Sequence, residues 1–308
     1  MARLAPDHLI PRRAEWLPSD LHIGISGWTY AGWRGVFYPK KLAHRLELEF
    51  ASHAFNSIEI NGSFYSLQRP SSYQRWYDAT PPGFVFSVKG ARFITHMKKL
   101  RDAEAPLANF LASGVLALRE KLGPILWQFP PNFGWNEERF SKFFDLLPRD
   151  TKEAAKLAKH HDDKLKAEPW TKAGPNLPLR HAVEIRHPTF MIPEFFALLR
   201  RHNIAFVVAD TAGKWPYAED ITADFIYCRL HGAEQLYVSG YSDAELDWWA
   251  DRVNHWRKGK QPKAPALVST RKAAGGRRDV YVYFDNDAKV HAPFNAKTLL
   301  GKLKGAQV

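Results

Sequence analysis

The sequence predicts a single (β/α)8 barrel, and three observations predict it. Eight short segments rich in β-branched and aromatic residues recur along the chain, segments with helical apolar spacing lie between them, and no glycine-rich dinucleotide fingerprint follows the first, where GISGWTY stands. Strands alternating with helices imply a parallel sheet with right-handed crossovers, either open or closed into a barrel. Eight such units fill a barrel of about 250 residues, and insertions account for the surplus in 308.

The strands are expected at residues 22–27 (HIGISG), 57–62 (SIEING), 84–90 (FVFSVKG), 124–130 (PILWQFP), 180–187 (RHAVEIRH), 204–210 (IAFVVAD), 225–232 (FIYCRLHG) and 279–286 (DVYVYFDN). Between them, residues 40–55 carry Leu42, Leu46, Phe50 and Ala54 at close to the helical period. Asn136 is placed to cap a helix through Phe140, Phe143 and Phe144, with Glu137 and Glu138 at its positive end. Pro193 suits a first helical turn, and Ser242 with Glu245 makes a capping box. Two inserts stand out: a lysine-rich polar stretch from about 148 to 178, between strands four and five, and a basic loop from 257 to 278 before strand eight.

Hydrophobic residues make up 45% of the chain, enough for a large core. The single cysteine, Cys228, cannot form an internal disulfide and suits a reducing, cytoplasmic setting. Residues 1–20 mix prolines, arginines and carboxylates without an apolar stretch. They read as an N-terminal extension to a barrel domain spanning 21–308, neither signal peptide nor membrane span. No other apolar run reaches membrane length, so no membrane partner is expected.

The net charge of +12 invites a nucleic-acid reading. Arg257, Lys258, Lys260, Lys263, Arg271, Lys272, Arg277 and Arg278, with no acid among them, account for eight of those charges. The basic character is therefore mostly one loop. It joins a helix to the next strand, which places it on the barrel face opposite the active-site mouth.

In a parallel barrel alternate residues point inward, and the last of them before each βα loop line the mouth. Counting this way gives Ser26 on strand one, Glu59 and Asn61 on two, Ser87 and Lys89 on three, and Gln128 on four. Strand five adds Glu184 and Arg186, strand six Asp210, strand seven Tyr227, Arg229 and His231, and strand eight Tyr281, Tyr283 and Asp285. Ions leave water at a cost on the order of several kcal/mol unless paired and hydrogen-bonded, so an ionisable inner wall marks a functional site. The bland alternative is a self-satisfied network, with Glu184 on Arg229 and Glu59 on Lys89.

The segments GISGWTYAGWRGVFYP, SIEINGSFY, TPPGFVFSVKGARFITH, LGPILWQFPPNF, AVEIRHPTF, FIYCRLHG and DVYVYFDNDA run in this order from the first strand to the end of the chain. Together they resemble domain-of-unknown-function family 72, the YecE-like proteins. The resemblance covers nearly the whole chain and implies a TIM-barrel fold, but no established reaction. The two inserts depart from the shorter members.

Glu59 and Glu184 sit one inward position deeper than Asn61 and Arg186, where desolvation is expected to raise a carboxyl toward general-acid range, while Asp210 at its strand end stays hydrated. Glu59, Glu184, Asp210, His231 and Asp285 are thus the catalytic candidates. Lys89, Arg186 and Arg229 converge from three strands on an anion, with Arg229 mainly holding Glu184. Ser26, Asn61 and Gln128 join them in binding substrate, beneath the loop aromatics Trp28, Tyr30 and Tyr65. Trp33, Trp135, Trp215, Tyr237 and Tyr241 are further roof candidates, whereas Trp127 and Cys228 alternate outward, which rules out a cysteine nucleophile. His96, His187, His231, Glu184, Asp210 and Asp285 lie near strand ends, but no metal-binding spacing unites them, and His160, His161, Asp162 and Asp163 read as a solvated face. No metal or other cofactor is expected. The function expected is a hydrolase or lyase using carboxylate acid/base chemistry on a small polar anion such as a sugar phosphate or nucleotide-like compound. The alternatives are nucleic-acid binding or processing, as in barrel endonucleases, and small-ligand binding without catalysis.

Overall fold

Eight parallel strands close on one another in chain order: β1 (Leu21–Ser26), β2 (Ser57–Ile60), β3 (Val85–Lys89), β4 (Leu122–Gln128), β5 (His181–Glu184), β6 (Ala205–Asp210), β7 (Phe225–Leu230) and β8 (Asp279–Phe284), which pairs back onto β1. The structure, a computed structural model, describes residues 9–11, 19–270 and 275–305. It shows the expected (β/α)8 barrel. Residues 1–8 and 12–18 of the expected N-terminal extension, and Arg271 and Lys272 of the basic loop, lie outside the described residues.

Alternation sorts the strand residues into two layers. Ile25, Ile58, Val88, Trp127, Val183 and Val208 are fully or almost fully buried beneath the helices, whereas Leu126, Ala182, Val207, Tyr227, Tyr281 and Tyr283 fill the barrel itself. Deep in the barrel the Tyr283 hydroxyl meets Ser57 at 2.6 Å and Ser87 at 2.7 Å, so three strands share one hydrogen-bonded centre. Below it His22 stacks on Tyr281 with ring centroids 4.4 Å apart. This filled lower half leaves the barrel open at the carboxyl ends of its strands.

Strand six departs from the expected count. Ala205, Val207 and Ala209 belong to the interior while Phe206 and Val208 pack outside, so Asp210 shares the outward parity and is not an inner-wall residue. Several strands also end earlier than expected. Asn61, Arg186, His231 and Asp285 therefore lie within two residues past their strands, in the loops that form the mouth.

The helices follow local chemistry. Asn136 accepts a hydrogen bond from the backbone N–H of Arg139 at 2.9 Å, and the capping box of Ser242 and Glu245 is complete. Pro193 occupies the first turn of Pro193–Arg201. The helix expected from residue 40 begins only at Glu47, after a 3-10 turn at His44–Leu46; the buried Glu47 carboxylate at its start takes the Arg34 guanidinium at 2.7 Å. Among the described residues no helix is long and apolar enough to cross a membrane.

Both inserts are built structures. The polar stretch contains the helix Thr151–Ala158, capped by Asp150, and its neck is closed by backbone bonds between Thr151 and Leu177 and between Leu179 and Arg149. Its tip is locked by a paired amide and carboxylate: Asn109 Nδ2 donates to Asp162 at 2.7 Å and the Asp162 N–H donates back to Asn109 at 2.9 Å. The basic loop is tied to the amino end of β1, where Asp20 takes Arg257 at 2.8 Å and Arg277 at 3.0 Å.

Closure of the barrel needs a glycine at one inward position of β1. A Cβ on Gly24 would stand 1.8 Å from the backbone oxygen of Ser57, which is part of the neighbouring strand. Gly24→Ala must separate β1 from β2 and is expected to lower stability by at least about 2 kcal/mol, read as a fall in the urea midpoint; an unchanged midpoint would show that the strand pair yields freely.

Candidate functional site

Arg229 stands at the centre of the mouth, fully buried, with every N–H of its guanidinium used. Nε and Nη2 grip Glu59 at 3.1 and 2.9 Å, Nη1 donates to Glu184 at 2.6 Å, and Nη2 also donates to Asp285 at 2.8 Å. The remaining Nη1 proton faces His231 Nε2 at 3.3 Å. A guanidinium only donates, so Nε2 of His231 accepts and the ring proton sits on Nδ1, which faces Asp285 at 3.0 Å.

The carboxylates are held from behind as well. Glu59 accepts from Ser26 at 2.9 Å and from Tyr227 at 2.6 Å, while Glu184 accepts from Gln128 at 2.7 Å and Arg186 at 3.0 Å. Burial pushes the Glu184 carboxyl up, but Arg229, Arg186, His231 and Lys89 more than offset it and hold it well below the ordinary carboxylate range. Burial likewise opposes ionisation of Asp285, and Arg229 with His231 brings it down to about 2.

In front of this network lies a cavity of about 730 Å³, within the range of small-molecule sites. Lys89, Arg92, Arg186, His96, Asp285 and Asp287 bring ionisable groups to it, and Tyr30, Asn61, Tyr65, Gln128 and Tyr237 complete much of the wall. Lys89 has no carboxylate within ion-pair distance among the described residues; its ammonium lies 4.3 Å from the centroid of the Phe64 ring. Burial and the neighbouring Arg229 charge lower its amine to about 8. Arg186 stacks on Trp215 at 3.7 Å and donates to Tyr237 at 3.2 Å, which fixes the plane of its guanidinium. Asp287 is pushed up to about 6 by burial and by the negative charge of Asp285. His96 is lowered to about 4 by burial and by Lys89 and Arg186, so it is neutral near pH 7.

The structure brings together Ser26, Glu59, Gln128, Glu184, Arg186, Arg229, His231 and Asp285 as expected, and puts Asn61, Lys89, Tyr30 and Tyr65 on the cavity wall. Three expectations are corrected. Glu59 pairs with Arg229 and not with Lys89, because the guanidinium reaches both of its oxygens. The expected division between carboxylates is reversed: Glu184 is lowered by its cations, while Asp210, turned outward, is raised by burial even though Tyr241 donates to it at 3.0 Å. Several roof candidates lie elsewhere: Trp33 and Tyr241 are core, Trp135 packs on Phe140 and Phe195, and Trp28 borders a neighbouring recess. Trp127 and Cys228 are buried outside the barrel as expected, and burial pushes the Cys228 thiol well up.

Tyr237 is on the cavity wall, as a roof candidate should be, whereas sequence reasoning missed Asp287 and Arg92. For Asp287 a signal existed, since the alternation of Tyr281, Tyr283 and Asp285 continues to it. His187 caps the 3-10 turn Pro188–Phe190 and is not at the cavity. Among the described residues no group of three His, Cys, Asp or Glu side chains is arranged to hold a metal, and the carboxylates nearest the barrel axis are directed at Arg229.

A family model described as "Protein of unknown function DUF72" matches residues 22–308. Among curated proteins, the chain is 31% identical over 129 residues to the UPF0759 protein YunF of Bacillus subtilis (strain 168), a match covering 38% of this chain and 43% of that protein. It is 30% identical over 129 residues to the UPF0759 protein YecE of Escherichia coli (strain K12), covering 42% of this chain and 44% of that protein. The chain thus spans less than half the length of these curated relatives in the matched region. A solved DUF72 family protein from Thermotoga maritima MSB8 superposes with a TM-score of 0.68 at 24% identity, covering 92% of this chain and 99% of that one. Another, from Enterococcus faecalis V583, gives 0.62 at 18%, covering 92% and 95%. At these identities the likeness is one of fold.

Two outcomes follow from the buried network. Arg229→Ala leaves Glu59 buried without a cation and Glu184 with Arg186 alone, and is expected to destabilise the fold by about 3–5 kcal/mol, whereas Lys89→Ala, which breaks no ion pair, should melt close to the parent. A parental melt for Arg229→Ala would refute this weight on the guanidinium. The second outcome concerns acid. The Asp285 carboxyl is lower in the folded state than its ordinary value, so its contribution is complete above about pH 4 and is lost as pH falls toward about 2. Asp285→Asn should flatten the stability profile across that window, by about 2 kcal/mol; an identical acid limb in both proteins would contradict it.

Proposed function

The chain belongs to the family of unknown function DUF72, and for this member we propose an enzyme of hydrolase or lyase type that binds a small polar anion, such as a sugar phosphate or nucleotide-like compound, and acts on it by acid/base chemistry between carboxylates. One observation carries the reading: Asp285 and Asp287, two residues apart on one loop, face the same cavity with carboxyls driven apart, to about 2 and about 6. Carboxylates pushed apart in this way divide into base and acid.

Asp285 stays ionised and is the base. Its Oδ2 accepts from Arg229 and lies 3.0 Å from His231 Nδ1, and its Oδ1 has no hydrogen-bond partner among the described residues. Asp287 is the acid; an anion bound nearby disfavours its charged form further and keeps the proton in place until a leaving group needs it. The anion belongs with Lys89 and Arg186, the cations of the wall that Arg229's carboxylates leave uncommitted or only partly committed, with Arg92 at the rim. Glu59, Glu184 and His231 act as positioning residues because Arg229 intervenes between them and a ligand. The single buried Cys228 suits a reducing, cytoplasmic setting.

Nucleic-acid binding through the basic loop fits less well. Arg257 and Arg277 are spent on Asp20, at the amino end of β1, away from the cavity. Non-specific binding through this loop would fall steeply with salt and vanish on its deletion, leaving the cavity intact.

Inorganic phosphate is expected to raise the melting midpoint of the parent and not of Lys89→Ala, since a ligand that binds only the native state stabilises it. The lysine is charged below its amine value of about 8, so protection should be full below that pH and fade as pH rises through it. Equal protection of Lys89→Ala would remove the anion site. In a screen of phosphorylated and carboxylated compounds, Asp287→Asn should cut turnover by roughly 10²- to 10⁴-fold with binding kept; if both Asp285→Asn and Asp287→Asn turn over like the parent, the acid/base assignment fails.

A further inference from the structure

A second cavity, of about 270 Å³, adjoins the first, and Phe64, Tyr65, Arg92 and Met97 are common to the walls of both. It differs in chemistry. Leu67, Ala91, Phe93, Ile94 and Pro106 give it an apolar lining, and the tip of the polar insert closes its far side with Asp162 and Lys164. Since an apolar cavity of roughly 150 Å³ accepts benzene, this one holds a single substituted ring or a short branched chain.

Three further observations converge on it. Of the seven large hydrophobic side chains exposed among the described residues, Tyr65 (66%), Phe93 (39%) and Met97 (66%) all stand on this wall. Exposed apolar side chains scattered singly need no explanation, whereas a cluster around one opening does. Phe93 and Met97 are presented by a π-helical turn, Phe93–Met97, a form that recurs at functional sites. Lys99, Leu100 and Asp102 follow it with left-handed backbone, at φ of 47°, 66° and 46°, which costs free energy that only a constrained geometry sustains. The insert, finally, is not loose there: the mutual Asn109–Asp162 hydrogen bonds hold it against the cavity.

We propose that the ligand of the barrel mouth is amphipathic: its anionic group lies between Lys89 and Arg186, and an apolar ring or short branched chain enters the side cavity bounded by Tyr65, Phe93, Met97 and the insert. This rests on the anion site proposed above and names the substrate class for it, a phosphate ester or carboxylate carrying one apolar group of about ring size. The continuity of the two walls is the argument. An anion alone leaves Tyr65, Phe93 and Met97 in water, while an apolar group tethered to that anion covers them without a second binding event. Tyr65, over which Arg92 lies at 5.5 Å, and Met97, an adaptable side chain, make the threshold between the two chambers. The insert thereby becomes the element that decides which apolar group is accepted.

The test compares inorganic phosphate with phenyl phosphate on the full chain by calorimetry. Burial of one ring is expected to make phenyl phosphate bind about tenfold to a hundredfold more tightly than phosphate. Two substitutions that fill the side cavity, Ala91→Leu and Leu67→Trp, are made separately so that a folding defect in one leaves the other; thermal melts establish that each is folded. Each should bring the ratio of the two affinities close to one while phosphate binds as in the parent. Phosphate binding with no preference for phenyl phosphate, or a preference that survives both filled variants, overturns the amphipathic ligand and leaves the anion site standing. If neither compound binds the parent, the anion site fails and the inference fails with it.

Discussion

The mouth of this barrel depends on one guanidinium. Arg229 enters from β7 and takes carboxylates from β2, β5 and the end of β8, and each of those carboxylates orders further groups: Ser26 and Tyr227 through Glu59, Gln128 and Arg186 through Glu184, His231 through Asp285. A lysine in this place has three donors on one point and no planar fork, and it cannot meet three carboxylates arriving from three directions. Ion pairs this deep repay their desolvation only when every lone pair and proton is used. That condition is met on the Arg229 side, and it fixes the positions of the side chains behind the cavity more than it adds to stability.

The same arrangement sets the electrostatics of the cavity from the inside outward. Because Arg229 is consumed by Glu59, Glu184 and Asp285, its charge is not offered to a ligand, but it still repels Lys89 and helps to lower that amine. Because Asp285 is held ionised, its field falls on Asp287 and raises it. The centre sets one guanidinium against three carboxylates, whereas on the wall three cations, Lys89, Arg92 and Arg186, face Asp285 and Asp287. The groups with room to change protonation are those on the cavity wall.

Much of this was legible in the sequence, and the failures have physical reasons. The eight strands and most inward residues follow from alternation, since polar and apolar residues take turns in SIEI, FVFSVK and FIYCRL. IAFVVAD offers no such contrast; both parities of β6 are apolar, and the direction of Asp210 was not encoded locally. Pairing was harder than placement. Glu59, Glu184, Lys89 and Arg229 all reach the same small volume, and only the three-dimensional reach of the guanidinium decides that Arg229 takes both glutamates and Lys89 neither. Asp287 escaped because the count stopped at the strand, although the alternation continues into the loop. The π-helical turn, and the packing of the insert beside it, have no short-range signature, although the insert itself is marked by its composition.

The two inserts show how position on a barrel decides what an extension does. The basic loop leaves and returns at the amino ends of the strands, where Asp20 takes Arg257 and Arg277, and the described part of it remains on that side. The polar insert also begins beyond the helix that follows β4, with a neck closed by backbone hydrogen bonds, yet its tip lies beside the loops after β2 and β3. What carries it across is the helix Glu104–Ala112, against which Thr151–Ala158 packs and whose Asn109 holds Asp162. Loops on a rigid barrel vary at little cost to the core and carry the differences in chemistry. Here an extension of the stability face has been led along one helix to the cavity face, where it adds an apolar chamber to a charged one.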